Sequence, residues 1–130
     1  AWAGDTWFNG NQAVINAQLG GVVQQAPWLL AIVLFFFSVL VNSQAATTRA
    51  IMPLGIALGI PVPILAAMFP AVNGYFFLPN YGPIIAAINF DSTGTTRIGK
   101  YVLNHSFMIP GLITVVLSVV FGFVMQAIVF

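Results

Sequence analysis

The 130-residue chain is 60% hydrophobic and 4% charged, with a formal net charge of +1 and a mean hydropathy of +1.01. Because an ordinary soluble domain carries about 25% charged residues, this composition excludes a soluble domain and predicts an integral membrane protein. Three scattered cations exclude nucleic acid as a partner, and one histidine, two acids and no cysteine predict no metal centre and no cofactor.

Residues 1–27 are the least apolar part of the chain, and we predict that they form an extracytoplasmic loop and a surface helix. Trp2, Trp7 and Trp28 suit anchoring at the level of the lipid headgroups, and packing against other protein fits them equally well. The first residues lack a signal-peptide pattern and an initiator methionine, so we expect the chain to begin inside a larger protein.

Residues 28–60 consist of two short apolar arms on either side of a polar segment at 42–49. The first arm, Trp28 to Val41, would be roughly 21 Å long as a helix, and the second arm is shorter. Neither arm reaches across the roughly 30 Å of a bilayer's hydrocarbon. This pattern predicts a re-entrant helical hairpin with its polar tip near the membrane midplane, where irregular backbone must line a cavity or be covered by protein.

Residues 61–90 form a second hydrophobic stretch, which begins at the turn Pro61-Val62-Pro63. Its middle, residues 78–83, reads Leu-Pro-Asn-Tyr-Gly-Pro, and these residue types interrupt a helix. We therefore predict a transmembrane helix broken at 78–83. The break leaves backbone groups that must be satisfied by ligand, ion, water or neighbouring protein.

Residues 91–101 are polar and carry two of the three cations, Arg97 and Lys100, which predicts a cytoplasmic loop. Asp91 and Ser92 are expected to cap a helix that begins near Thr95. A phosphate-binding loop is excluded because the glycine spacing is wrong and the GK[ST] ending is missing.

Residues 102–130 predict the last transmembrane helix, with an extracytoplasmic C-terminus and both feet of the hairpin on the outer side. His105 lies at the inner edge of this helix. We expect a satisfied interface residue there, with proton coupling as the less favoured alternative.

Polar groups at bilayer depth are tolerated chiefly where they face a cavity, a partner or a ligand, so the tip and the break together predict a substrate site. A helix start capped by a serine binds carboxylates, and a guanidinium binds a carboxylate through two parallel hydrogen bonds. The candidate substrate-binding residues are Asn42, Ser43, Gln44, Thr47, Thr48, Arg49, Asn73, Asn80 and Tyr81.

Each candidate also has a purely structural alternative. Arg49 could reach a headgroup or pair with an acid elsewhere in the protein. Ser43 and the threonines could cap the helix and bond back to its carbonyls. Asn80 and Tyr81 could belong to a proline kink that a neighbouring helix satisfies, and Asn73 could serve close helix approach.

Three segments carry a family resemblance: NSQAATTRAIMPLGIALGIP at 42–61, FPAVNGYFFLPNYGPIIAAINFD at 69–91 and STGTTRIGKYVLNHSFMIPGL at 92–112. They resemble the C-terminal part of the Dcu family of anaerobic four-carbon dicarboxylate transporters. The resemblance extends over residues 28–130, and the opening AWAGDTWF is also similar. It implies that the chain is the C-terminal third of a carrier that exchanges fumarate, malate or aspartate for succinate across the bacterial inner membrane during anaerobic fumarate respiration.

The order of hairpin, broken helix and last helix also resembles the second half of an inverted-repeat carrier of the wider ion transporter superfamily. The first repeat would then be missing, and we expect this fragment alone not to transport. Besides the bilayer and the N-terminal part, the resemblance implies a homodimer and a sensor kinase as partners. A coupling ion, Na⁺ or H⁺, cannot be identified from these residues.

Two other functional classes are weighed against the carrier. No arrangement of nucleophile, base and orienting acid supports an enzyme. A structural subunit of a membrane complex, whose polar residues only satisfy helix contacts, stays open as an alternative. So does a transporter that also acts as the membrane partner of a dicarboxylate sensor kinase, which the resemblance implies.

Overall fold

A computed structural model describes residues 6, 10, 11, 13, 14, 17, 18 and 25–130. These residues form helices and turns, and none of them lies in a β-strand, in agreement with the predicted all-α architecture. The predicted surface helix and loop at 1–27, with Trp2 and Trp7, fall for the most part outside the described residues.

The first two helices, α1 (Leu29–Val41) and α2 (Gln44–Ala57), are joined by only two residues. Asn42 ends α1 in the left-handed conformation, with φ 51°, which asparagine tolerates better than most residues. Ser43 is extended and caps α2, where its Oγ accepts from the amide of Ala46 at 3.2 Å. Such a cap contributes about 1 kcal/mol. The polar segment predicted as the tip therefore continues as the first turns of α2.

The second hydrophobic stretch starts with α3 (Val62–Met68), which continues directly as a 3₁₀ helix, Phe69–Phe76. Residues 77–81 are not helical, and α4 follows at Gly82–Phe90. The predicted break at 78–83 is thus displaced slightly. Gly82 and Pro83 belong to α4, because proline is tolerated in the first turn of a helix, where the missing N–H is not needed.

Helix α5 (Met108–Val129) has 22 residues and is about 33 Å long. Among the described residues it is the one helix long and apolar enough to cross a membrane. Its predicted start at residue 102 is corrected to Met108. The Oδ1 of Asn104 accepts from the amide of Tyr101 at 3.0 Å, and such local side-chain bonds compete with helix formation.

Helix α1 packs against the 3₁₀ helix, and both pack on α2 around one apolar cluster. Its fully buried members include Leu30, Leu34, Leu54, Met68 and Val72. Because lipid is as apolar as a protein core, close packing holds helices together in a bilayer, and small residues permit it. Gly74 lies against the backbone of Phe35 in α1, and Gly122 of α5 lies against the backbone of Ala67. A second cluster beneath the break contains Phe76, Ile84 and Val115.

Asp91 organises the turn that follows α4. Its carboxylate accepts from the amides of Thr93 and Thr96, at 2.9 and 2.6 Å, and from the hydroxyls of Thr93 and Thr95. The expected helix beginning near Thr95 is wrong, because these threonine donors fold back onto Asp91 instead of continuing along a helix. The hydroxyl of Thr93 and the amide of Thr96 hold the pKa of Asp91 well below its usual range.

We expect Asp91→Asn to loosen this turn, because an amide offers one oxygen where the carboxylate offers two and loses the charge that strengthens the bonds. In detergent-solubilised full-length protein, trypsin should cleave after Arg97 and Lys100 several-fold faster in the variant. Ser92→Ala, which changes an exposed neighbour, is the control and should cleave like the unmodified protein. Equal cleavage of both variants would contradict the role given to Asp91.

The pH dependence has a definite sign. The pKa of Asp91 is lowered in the folded state, so its stabilising contribution is complete above the ordinary value of 3.8 and is lost as the pH falls through the folded-state value. Cleavage of the unmodified turn should therefore not depend on its protonation between about pH 5 and 8.

Candidate functional site

The hairpin turn and the 3₁₀ helix meet through one polar side chain. The Nε2 of Gln44, the first residue of α2, donates to the Oδ1 of Asn73 and to the hydroxyl of Tyr75, the latter at 3.2 Å. The ring of Tyr75 lies 4.6 Å, centroid to centroid, from the ring of Tyr81 in the break. Residues Gln44, Asn73, Tyr75 and Tyr81, which we call the polar junction, thus connect the tip to the break.

Asn73 has the backbone geometry of a kink, with φ −91° and ψ 22° inside the 3₁₀ helix. Its Nδ2 donates to the carbonyl of Pro70 at 3.0 Å, which fixes the side-chain amide and leaves its Oδ1 toward Gln44. Close helix approach, the structural alternative for Asn73, is instead the role of Gly74, because its position leaves no room for a Cβ. Asn73 is therefore a junction residue.

The break presents unpaired backbone amides next to the polar junction. Within the described chain, no group accepts from the amides of Asn80 and Gly82, which precede or open helix α4. Tyr81 is extended and caps α4 without a side-chain bond. Asn80 is exposed and its side chain makes no hydrogen bond to the described residues. Free amides at a helix start attract an anion.

The hydroxyls of two threonines in α2 bond back to carbonyls of the same chain, which is the structural alternative to substrate binding. The hydroxyl of Thr47 donates to the carbonyl of Ser43, and that of Thr48 donates to the carbonyl of Gln44, both at 2.8 Å. Thr47 is 0% exposed, so it faces the core rather than a ligand. Thr48 is half-buried. Both side chains shape the start of the helix, and the two hydroxyl protons are already used.

Asn42 and Ser43 lie in the turn itself. The Oδ1 of Asn42 is buried and has no partner within the described chain, so this side chain is available to another group. The Oγ of Ser43 accepts from the Ala46 amide and so serves as the helix cap, while the amides of Gln44 and Ala45 ahead of it have no described acceptor. The turn therefore offers donors, and Ser43 arranges them.

Arg49 lies outside the polar junction, exposed on α2. Helix α2 contains no acidic residue. Of the two acids in the sequence, Asp91 already accepts four hydrogen bonds from threonines, and Asp5 is not among the described residues. Because helical side chains lean toward the N-terminus, the guanidinium can extend back toward the hairpin turn. The described chain gives this cation no counter-charge.

A cavity of about 340 Å³ adjoins the polar junction, which is within the size range of small-molecule sites. Asn73 and Tyr75 line one side, and Thr114 and Ser118, one turn apart on α5, line the other. Another cavity of about 360 Å³, between α1 and α5, is lined only by apolar side chains and cannot compensate a charge. Of these two cavities, the one next to the polar junction is the one lined by polar side chains.

Tyr75, Thr114 and Ser118 line this cavity and are not among the residues predicted from the sequence. A lone tyrosine in a hydrophobic stretch, or hydroxyls in a spanning helix, carry no signal of their own, because such hydroxyls usually bond back within the helix. Thr114 does so, donating to the carbonyl of Pro110 at 2.8 Å. Only the packing of α5 against the 3₁₀ helix reveals their shared cavity.

Comparison with known proteins gives consistent matches over the whole chain. A sequence profile described as anaerobic c4-dicarboxylate membrane transporter matches residues 1–130. The C4-dicarboxylate transporter DcuA of Escherichia coli is 50% identical over 125 residues, which cover 96% of this chain and 29% of that protein. DcuA of Wolinella succinogenes is 45% identical over 128 residues, covering 98% and 30%. The Anaerobic C4-dicarboxylate transporter DcuB of Escherichia coli is 46% identical over 127 residues, covering 98% and 28%.

The chain thus spans less than a third of the length of these relatives. No solved structure gives a significant match.

Proposed function

Because the chain belongs to the DcuA/DcuB family of anaerobic C4-dicarboxylate membrane transporters, we propose that it is the C-terminal part of a secondary carrier of the bacterial inner membrane. The complete carrier exchanges fumarate, malate or aspartate for succinate. The hairpin α1–α2 is re-entrant, residues 91–101 face the cytoplasm and the C-terminus is extracytoplasmic. One observation carries the proposal: Gln44 bonds Asn73 and Tyr75, so the hairpin turn and the broken helix form a single polar site.

Two helix starts point donors into this site. The amides at the beginning of α2 and those of Asn80 and Gly82 at the beginning of α4 add to the positive ends of two helix dipoles. A dicarboxylate has two charges separated by a short carbon chain, so one carboxylate binds at each helix start. The two helix starts together are equivalent to about one positive charge, so they balance only part of the charge of the dianion.

Arg49 supplies the remaining charge. Its guanidinium binds the carboxylate at the α2 start through two hydrogen bonds. A monoanion has no second carboxylate for the amides of the break, so the site favours dicarboxylates. Transport needs no covalent chemistry. Alternating access moves the site between the two sides, and the part of the carrier outside this chain completes the other wall.

The test is counterflow in liposomes that contain the purified full-length transporter. With succinate inside, labelled fumarate added outside should accumulate transiently above its equilibrium level. A monocarboxylate such as lactate in place of internal succinate should give no accumulation. If fumarate enters to the same level with and without internal succinate, exchange is wrong. If no fumarate enters in either case, the structural-subunit alternative is favoured.

A further inference from the structure

One buried titratable side chain lies apart from the polar junction. His105 is 4% exposed and belongs to the turn-rich segment before α5. Its ring nevertheless reaches the broken helix, where Nε2 lies 3.2 Å from the carbonyl oxygen of Phe77. Phe77 is the first residue after the 3₁₀ helix, at the point where helical bonding stops. The histidine therefore touches the upstream edge of the break.

This contact satisfies a backbone group that the break leaves open. Within the described chain, no amide donates to the Phe77 carbonyl, so the imidazole is its partner. A backbone carbonyl left without a hydrogen-bond partner destabilises the fold, so the contact with His105 stabilises the backbone at this point. Residues 78–104, which include α4 and the Asp91 turn, separate the two partners of this bond along the chain. The bond from His105 therefore connects the two ends of that segment.

The chemistry fixes the role of the ring. A carbonyl only accepts hydrogen bonds, so Nε2 must carry the proton and donate it to Phe77. Nδ1 is buried without a partner in the described chain, so Nε2 makes the one hydrogen bond of the ring there. The hydrogen bond to Phe77 therefore requires a side chain at position 105 whose donor lies as far from its own backbone as the Nε2 of histidine does.

The two residues that follow His105 in the chain are fixed by hydrogen bonds and by packing. The amide of Ser106 donates to the carbonyl of Arg97 at 3.1 Å, and the amide of Arg97 donates to the Oγ of Ser106 at 3.0 Å. On the other side, Phe107 packs in the cluster that includes Ile84 and Tyr81. The ring is thus presented to the break from a fixed frame.

We propose that His105 is a positioning residue for the dicarboxylate site. By holding the Phe77 carbonyl, it sets the course of residues 77–81 and thereby the direction of the Asn80 and Gly82 amides. This inference rests on the proposed function, since those amides are the ones assigned to the second carboxylate. His105 itself does not touch the substrate.

The test compares two amides in the full-length transporter. The Nε2 of glutamine reaches the position of the histidine Nε2, whereas the shorter asparagine places its donor near Nδ1. We expect His105→Gln to keep the KM for fumarate within about twofold and His105→Asn to raise it about tenfold, the effect of one lost hydrogen bond, with kcat less affected. Equal KM values for the two variants would overturn the proposal.

A second readout does not depend on transport. Leu78 is half-buried beside Phe77, and a cysteine placed there reports whether the break is held. Maleimide should label Leu78→Cys several-fold faster in the His105→Asn background and at the original rate in the His105→Gln background. Unchanged labelling in both would also overturn the proposal. If labelling responds but no variant, including the unmodified carrier, exchanges dicarboxylates, the positioning role stands and the proposed function fails.

Discussion

Replacing Gly74 by alanine should prevent stable assembly of the hairpin on the broken helix. An added Cβ would lie 2.5 Å from the carbonyl oxygen of Phe35 and 2.7 Å from the Oγ of Ser38. Real Cβ atoms essentially never come so close, and the first contact is with backbone that cannot rotate away. Either α1 or the 3₁₀ helix must move.

The surrounding hydrogen bonds prevent an easy adjustment. Ser38 is fully buried, donates to the Phe35 carbonyl at 2.7 Å and accepts from the Gly74 amide at 2.8 Å. Moving Gly74 away breaks the bond between the two helices and leaves the Gly74 amide without its acceptor. Overpacking costs about 1 to 3 kcal/mol and the lost bond about 1 kcal/mol more, so we expect a total near 3 kcal/mol.

The measurement is the unfolding free energy of the full-length transporter in mixed micelles, together with its abundance in membranes. Gly82→Ala is the matched control, because a Cβ there meets no atom within 4 Å and the change should stay within about 0.5 kcal/mol. Gly55→Ala should be intermediate, because its Cβ meets the movable ends of Leu65 and Leu30. A Gly74→Ala protein as stable as Gly82→Ala would show that the close approach is not required.

Local signals in the sequence identify where helices start and stop. Ser43 caps α2 as expected, since an N-cap needs only the three residues that follow it. The prolines and the glycine at 79–83 locate the interruption to within a residue or two, and continuous hydropathy finds α5. These features are determined by residues close together in the chain, so they can be predicted from the sequence.

In the segment before α5, helix starts predicted from local residues are wrong, because side-chain hydrogen bonds compete with helix formation. Asp91 looks like a helix cap, but its carboxylate binds Thr93, Thr95 and Thr96 in a turn. Asn104 likewise bonds Tyr101 and delays the last helix to Met108. A cap and a side-chain turn use the same residue types, and only the final geometry distinguishes them.

The candidate site is predictable in its position and not in its contacts. The sequence indicates that the polar residues of the hairpin turn and the break share a site, but it cannot show that Gln44 is the residue that joins them. Tyr75 and Ser38 act across more than 30 positions of the chain. Thr47 is predicted to bind substrate together with the other hydroxyl side chains. It faces the core instead, because its position around the helix axis directs the side chain inward.

Replacing Arg49 by glutamine should cause the largest loss of transport. Loss of a bidentate, charge-assisted pair with a carboxylate costs about 1.5 to 3 kcal/mol, so we expect kcat/KM for fumarate to fall about 10- to 150-fold. The measurement is initial fumarate–succinate exchange in liposomes with equal amounts of reconstituted protein. Arg97→Gln removes an equivalent charge from the exposed turn and should leave exchange within about twofold.

Arg49→Lys separates substrate binding from anchoring to a headgroup. A lysine also extends along apolar surface to reach a lipid phosphate, so exchange would be unaffected if anchoring were the role of Arg49. An ammonium cannot form the two parallel hydrogen bonds that a carboxylate accepts from a guanidinium, so in the proposed site Arg49→Lys should recover only part of the loss. Exchange at the unmodified level in Arg49→Lys would assign this cation to the membrane, and exchange at that level in Arg49→Gln would remove it from the substrate site altogether.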